Sequence, residues 1–153
     1  MTYFLDTSAL VKLYHHEQGR DVLLKLYLGD DDLYASELAR LEFVSATTRK
    51  LYEESISQEQ HARILESLAS DMGKRIGLLH FSSIVMTEAE RILVSLAPSP
   101  LLRTLDALQL SFCNCFCNQE TVFVCSDKRL ITAVEESGYK VLNPELSPEI
   151  GSR

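Results

Sequence analysis

Four carboxylates in this chain stand where a carboxylate needs an explanation: Asp6, Glu42, Asp106 and Asp127. Asp6 closes the apolar run Tyr3-Phe4-Leu5, and Ser126 and Asp127 close the run Val122-Phe123-Val124-Cys125. Two short apolar runs ending this way predict strands whose carboxyl ends emerge at one edge of a sheet, the edge at which open parallel sheets bind ligands. Each acid alone is explained as a helix cap, because Asp and Ser accept the free N–H groups of a helix start. Capping does not explain why like charges converge. Glu42 has Leu38, Ala39, Ser45 and Ala46 as its helical neighbours, an apolar or small face. It either points into a pocket or snorkels from the rim of a buried face. Asp106 follows Thr104 by two residues, where a helix dipole favours an acid. Leu105, Ala107, Leu108 and Leu110 crowd it, so it needs a partner, with Arg103 and a cation as candidates. Carboxylates drawn together without a cation repel, and some hold a proton. A four-carboxylate cluster suits Mg²⁺ or Mn²⁺ better than Zn²⁺. Such an ion polarises a phosphoryl oxygen and activates water for in-line attack.

The elements that must position these acids follow from the pattern between them. Thr2 to Leu5 predicts a first strand, followed by a short helix from Ala9 to Tyr14 and a second from Asp21 to Leu28. Leu33 to Ala35 predicts a second strand, and Ser36 opens a long helix to about Glu54. Ser57 and Gln60 form a capping box for another helix, which fades near Gly73. Leu78 to Phe81 predicts a third strand, and Thr87-Glu88-Ala89-Glu90 a second capping box for a helix to about Leu96. Pro98 and Pro100 interrupt that helix, making 96–102 a loop inside the domain. Thr104 is expected to cap a helix from Leu105 to about Cys117. Thr121 to Cys125 predicts the fourth strand, Ser126-Asp127 the cap of a helix ending at Gly138, and Tyr139 to Leu142 the last strand. Alternation of this kind predicts an α/β domain: a central, mainly parallel sheet of four to five strands with helices on both faces. The chain divides into a domain over 1–144 and a loose C-terminal tail over 145–153.

Composition bounds the alternatives. The 153 residues suffice for one domain with a real core. The net charge of −7 argues against a nucleic-acid binder at face value, but a bound divalent cation inverts the local sign of an acidic pocket. Cys113, Cys115, Cys117 and Cys125 are crowded together, unlike a disulfide framework. They are expected to be small buried hydrophobes, with zinc the weaker alternative. No apolar stretch approaches the ~20 residues that span a bilayer, and no basic leader is apparent, so the expectation is a cytoplasmic protein. Lys12, Arg103, Lys128 and Arg129 lie near the acids in sequence and either grip phosphates or balance carboxylates; phosphate contact is favoured for Lys12 and Arg103. His15 and His16 read as surface residues.

The segment Tyr3-Phe4-Leu5-Asp6-Thr7-Ser8-Ala9-Leu10-Val11-Lys12 resembles the opening of PIN-domain proteins, especially the VapC toxins of bacterial and archaeal toxin–antitoxin pairs. Ser36 followed by Glu42 resembles the second acidic motif of that family. Leu102 to Leu110 resembles the third. Val124-Cys125-Ser126-Asp127-Lys128-Arg129-Leu130, with Gly138-Tyr139-Lys140-Val141 and Pro144, resembles the last part of the domain. The resemblance spans about residues 2 to 144. It implies a PIN fold, endoribonuclease activity and Mg²⁺ or Mn²⁺ held by Asp6, Glu42, Asp106 and Asp127. Thr7, Ser8 and Ser126 would support metal water or phosphate. It also implies an RNA substrate, a small antitoxin that inserts a segment near the acids, and a homodimer. The rival within the family is a PIN-like module that binds RNA or a protein without turnover. Response-regulator domains want an adjacent acidic pair after the first strand, and haloacid-dehalogenase-like phosphatases want Asp-x-Asp. Asp6-Thr7-Ser8 fits neither.

Overall fold

The computed structural model describes residues 1–95 and 102–146. Its elements, in order, are β1 (Thr2–Leu5), α1 (Thr7–Tyr14), α2 (Arg20–Leu28), β2 (Asp32–Ser36), α3 (Glu37–Tyr52), α4 (Gln58–Asp71), β3 (Ile76–Leu79), α5 (Ser83–Ser95), α6 (Thr104–Phe116), β4 (Val122–Val124), α7 (Lys128–Glu136) and β5 (Lys140–Leu142). The five strands form one sheet, ordered β3-β2-β1-β4-β5, and every pair is parallel. This is the α/β architecture the alternation predicts.

Side-chain alternation along the central strands divides the core into two layers. Tyr3 and Leu5 of β1 and Val122 and Val124 of β4 pack with Leu10, Leu23, Phe43 and Leu68, against α1 to α4. Phe4 and Phe123 point the other way, with ring centroids 4.9 Å apart, and pack with Val85, Ile92, Leu110 and Val134 of α5, α6 and α7. Both faces of the sheet are therefore covered, as an all-parallel sheet requires.

Several boundaries differ from the sequence expectation for physical reasons. The third strand is Ile76–Leu79, two residues earlier than expected. Gly77 pairs with Tyr34, and a Cβ there would lie 2.6 Å from the Tyr34 ring, so glycine is what lets the ring cover this strand. His80 and Phe81 have left the sheet for Glu37. The Phe81 N–H donates to Glu37 Oε2 at 2.8 Å, and His80 Nδ1 lies 2.7 Å from Oε1. The expected capping box at Thr87 is not a helix start, because α5 begins at Ser83. Thr87 Oγ1 instead donates to the Ser83 carbonyl at 3.1 Å, as a threonine inside a helix can. Arg103, not Thr104, is the cap residue of α6, and the Asp106 carboxylate accepts its backbone N–H at 3.1 Å. The capping box of Ser57 and Gln60 is formed as expected.

The expected interruption at Pro98 and Pro100 and the tail from 147 onward lie outside the described residues. Glu145 and the residue before it are not loose. Gln18 Nε2 donates to the Glu145 carbonyl at 3.1 Å. Gly19, at φ +87°, comes so close to Pro144 that a Cβ would lie 2.8 Å from its backbone. Among the described residues no helix is long and apolar enough to cross a membrane.

Candidate active site

The strand order reverses between β1 and β4: the chain moves outward to β2 and β3 and then crosses back to β4 and β5. At such a switch point the two following connections diverge and leave a crevice at the carboxyl edge. Asp6 follows β1 there, and Ser126 and Asp127 follow β4. Asp6, Glu42, Asp106 and Asp127 all line one cavity of about 300 Å³ at this place, together with Thr7, Ser8 and Lys12.

Asp6 is 4% exposed. Its Oδ1 accepts the Ala9 N–H at 2.9 Å as the cap of α1, and the Ser8 hydroxyl at 2.7 Å. Ser8 Oγ in turn accepts the Ser126 N–H at 3.0 Å and so ties the ends of β1 and β4 together. Burial pushes the Asp6 carboxyl up to about 6. Hydrogen bonds from Ala9, Ser8 and Cys125 oppose that rise, and the charge of Glu42 adds to it. The capping reading of Asp6 is thus correct without excluding the other one.

Glu42 projects from α3 into the same cavity, as its apolar helix face allows. Its Oε2 accepts hydrogen bonds from the Thr7 hydroxyl and from Gln109 Nε2, the latter at 2.9 Å. Asp106 is half-buried in the first turn of α6. Burial raises its proton affinity, as does the nearby charge of Asp127; the Arg103 N–H, Arg129 and Arg103 act the other way. Asp127 caps α7 by accepting the Arg129 N–H at 2.9 Å, and Arg129 Nε lies 3.8 Å from Oδ1. Ser126 Oγ is buried and has no hydrogen-bond partner among the described residues.

The donor set fits a hard divalent cation. It consists of carboxylate oxygens from four separate elements around one cavity, and burial, with a smaller contribution from a neighbouring carboxylate, raises the proton affinity of Asp6 and Asp106. Among the described residues, no three His, Cys, Asp or Glu side chains stand close enough together to hold an ion as placed, so the acids line the wall of the cavity rather than meet at one point. The same holds for the cysteines, all four of which are free, Cys113 and Cys125 being buried.

Lys12 lines the cavity, yet its charge is matched. It is 6% exposed, with Nζ 2.8 Å from Glu145 Oε1 and 3.5 Å from Glu17 Oε2, and Glu17 is paired with Lys50 at 2.8 Å. Arg103 is exposed beside Asp106. His16 is exposed and His15 partly so. Sequence reasoning missed Gln109, which is 3% exposed. A signal existed: it is the one amide in the apolar stretch Leu105 to Phe112, three residues after Asp106. A larger cavity of about 390 Å³ is lined by Glu88, Arg91, Asn114 and Tyr139 among others. Within it Glu88 is already partnered, with Arg91 and Asn114 each 2.7 Å away.

The family model of the PIN domain matches residues 3–133. No curated protein matches the chain. Among solved structures, the chain is similar to VapBC2 from Rickettsia felis bound to a DNA fragment from their promoter, with a TM-score of 0.65 and 17% identity over 94% of this chain and 98% of that one. It is similar to FitAcB from Neisseria gonorrhoeae, with a TM-score of 0.68 and 16% identity over 95% and 100%. It is also similar to VapBC-1 from nontypeable Haemophilus influenzae, with a TM-score of 0.63 and 15% identity over 94% and 98%. At these identities the likeness is one of fold.

Proposed function

The chain belongs to the PIN-domain family, and on that premise we propose that it is a metal-dependent endoribonuclease, the toxin of a VapBC-type toxin–antitoxin pair. The observation that carries this reading is the gathering of Asp6, Glu42, Asp106 and Asp127, spread over 122 positions of sequence, around one cavity at the switch point of a parallel sheet. Mg²⁺ or Mn²⁺ held there would polarise the scissile phosphate and lower the pKa of an attacking water.

The chain's own side chains do the positioning. Ser8 and the Ala9 N–H fix Asp6 at the end of β1, and Thr7 and Gln109 fix Glu42 across the cavity. The Ser126 hydroxyl, without a partner among the described residues, is available to a metal-bound water or a phosphate oxygen. Arg103, exposed beside Asp106, is the proposed phosphate contact. Lys12, already paired, shapes the wall. Negative net charge is compatible with an RNA substrate because a cation held by the acids would supply the local positive charge.

The proposed partners are a small antitoxin and a second copy of the chain, and the proposed compartment is the cytoplasm. These rest on the sequence resemblance and on neighbours that are themselves VapBC and FitAcB assemblies. The test is incubation of purified chain with total cellular RNA in Mg²⁺, in Mn²⁺ and in EDTA, beside Asp6→Asn. Discrete fragments that need metal and vanish in the variant are expected. Folded, antitoxin-free protein that cuts nothing under any condition would favour a binding module without turnover.

A further inference from the structure

Gln109 stands behind the cavity, bonded to its lining residues Thr7 and Glu42, and neither a strand end nor a helix start accounts for it. It lies within α6 between Leu108 and Leu110, at 3% exposure, where an apolar side chain would pack without needing partners. Its amide joins three elements. Gln109 Oε1 accepts the Ser36 hydroxyl at 2.9 Å, at the junction of β2 and α3. Gln109 Nε2 donates to Thr7 Oγ1 of α1 at 3.0 Å and to Glu42 Oε2 of α3 at 2.9 Å.

The partners fix which way the amide faces. Ser36 Oγ accepts the Ala39 N–H at 2.9 Å as the cap of α3, which leaves its own proton for Gln109 Oε1. Glu42, as a carboxylate, can only accept, so it needs the NH₂ side. A flipped amide would set Oε1 against the carboxylate. The cap of α3 thus orients Gln109, and Gln109 orients a glutamate six residues further along the same helix. Thr7 donates to the same oxygen of Glu42. With both donors on Oε2, Glu42 Oε1 accepts no hydrogen bond among the described residues.

Resting on the reading of the acids as a cation site, we propose that Gln109 is a positioning residue for metal binding. It holds Glu42 Oε2 so that Oε1 is presented to the ion. A glutamate in mid-helix has three side-chain torsions to restrain. A donor on one oxygen removes that freedom, which is how outer partners of a metal site act on its ligands.

The test is Mn²⁺ titration of the full chain, with the free ion read by electron paramagnetic resonance, for wild type, Gln109→Met, Gln109→Glu and Asp6→Asn. Gln109→Met keeps the volume and removes the donor, and is expected to weaken Mn²⁺ binding about tenfold. Gln109→Glu sets a carboxylate against Glu42 and should weaken it further. Unchanged affinity in folded Gln109→Met, with binding lost in Asp6→Asn, would overturn the role of Gln109 and leave the acid site standing. Failure of wild type to bind Mn²⁺, or equal binding by Asp6→Asn, overturns both. If the Gln109 variants do not fold, wild type carries the test. Its Gln109 side-chain NH₂ resonances should shift on Mg²⁺ saturation, and the shift should be absent in Glu42→Gln. No shift in wild type overturns the proposal.

Discussion

The two halves of the acid cavity are built differently. Asp6 caps its own helix, but the groups that hold it and Glu42 are tied across the chain: Ser8, which donates to Asp6, accepts the Ser126 N–H from 118 positions away, and Gln109 donates to Glu42 across 67 and to Thr7 across 102. Asp106 and Asp127 are held by their own helix starts, each accepting a backbone N–H two or three residues away. Arg103 and Arg129 stand beside them toward solvent. One half is therefore set by tertiary packing and is in place before any ligand arrives. The other is set by local chain geometry and can adjust at the cost of a helix cap. Substitutions in the first half should register in both the chemistry and the energetics of folding. Those in the second should register mainly in the chemistry.

The largest contrast is expected in cleavage. Asp6→Asn keeps the cap, since Asn caps as well as Asp. It removes a proposed ligand outright, so the metal-dependent rate should fall by more than the ~10–100-fold that the loss of an outer partner costs. Asp127→Ala should also abolish cleavage and weaken metal binding, with the fold retained. Its stability cost is expected to be about 1 kcal/mol, the worth of one helix cap, measured by urea unfolding. Wild-type cleavage by Asp127→Ala would remove that residue from the site.

What the sequence made legible follows the same division. Asp6 and Asp127 were visible because an apolar run ending in an acid is a local event, and the parallel sheet does with it what such sheets do. Asp106 was visible as an acid in a helix start, although its cap was misplaced by one residue because Arg103, with no side-chain acceptor, gives no capping signal. Glu42 was suspected from its helix face alone. Gln109, Glu17 and Glu145 were not read as parts of the site. The roles of Gln109 and Glu145 depend on partners 67 to 133 positions away, and that of Glu17 on Lys12 and Lys50, 5 and 33 positions away. The shift of β3 had the same origin, since Glu37 and Tyr34, which end and cover that strand, belong to a different part of the chain.

A smaller contrast is expected in the pH dependence of the metal-free protein. Burial raises Asp6 from an ordinary 3.8 to about 6. Between those values the folded protein keeps a proton that the unfolded chain has released. By linkage, this group's contribution to stability is therefore full at low pH and is lost as pH rises through that window. Asp6→Asn has no such loss. In EDTA, its stability relative to wild type should grow by on the order of 2 kcal/mol between about pH 4 and pH 6.5. Equal pH profiles for the two proteins would mean that Asp6 ionises as it would in water and that this half of the cavity is not dry.

The smallest effect separates two cations that the sequence treats alike. Lys12 is buried and paired with Glu145 and Glu17, whereas Arg103 is exposed beside Asp106. Lys12→Met leaves Glu145 without its cation, but Glu145 is over a third exposed and Glu17 keeps Lys50. The expected cost is therefore about 1 kcal/mol. Arg103→Ala should change stability by no more than about 0.5 kcal/mol, the ordinary range for a surface position. RNA binding should reverse the ranking. With Ca²⁺ in place of the catalytic ion, Arg103→Ala should weaken binding and lower the slope of log affinity against log salt by about 1, as loss of one phosphate contact does. Lys12→Met should leave that slope unchanged, because a lysine held between two glutamates has no counterion to release. A salt slope that falls equally in both variants would show that RNA opens the Lys12–Glu145 pair, and that the wall of the cavity moves when substrate binds.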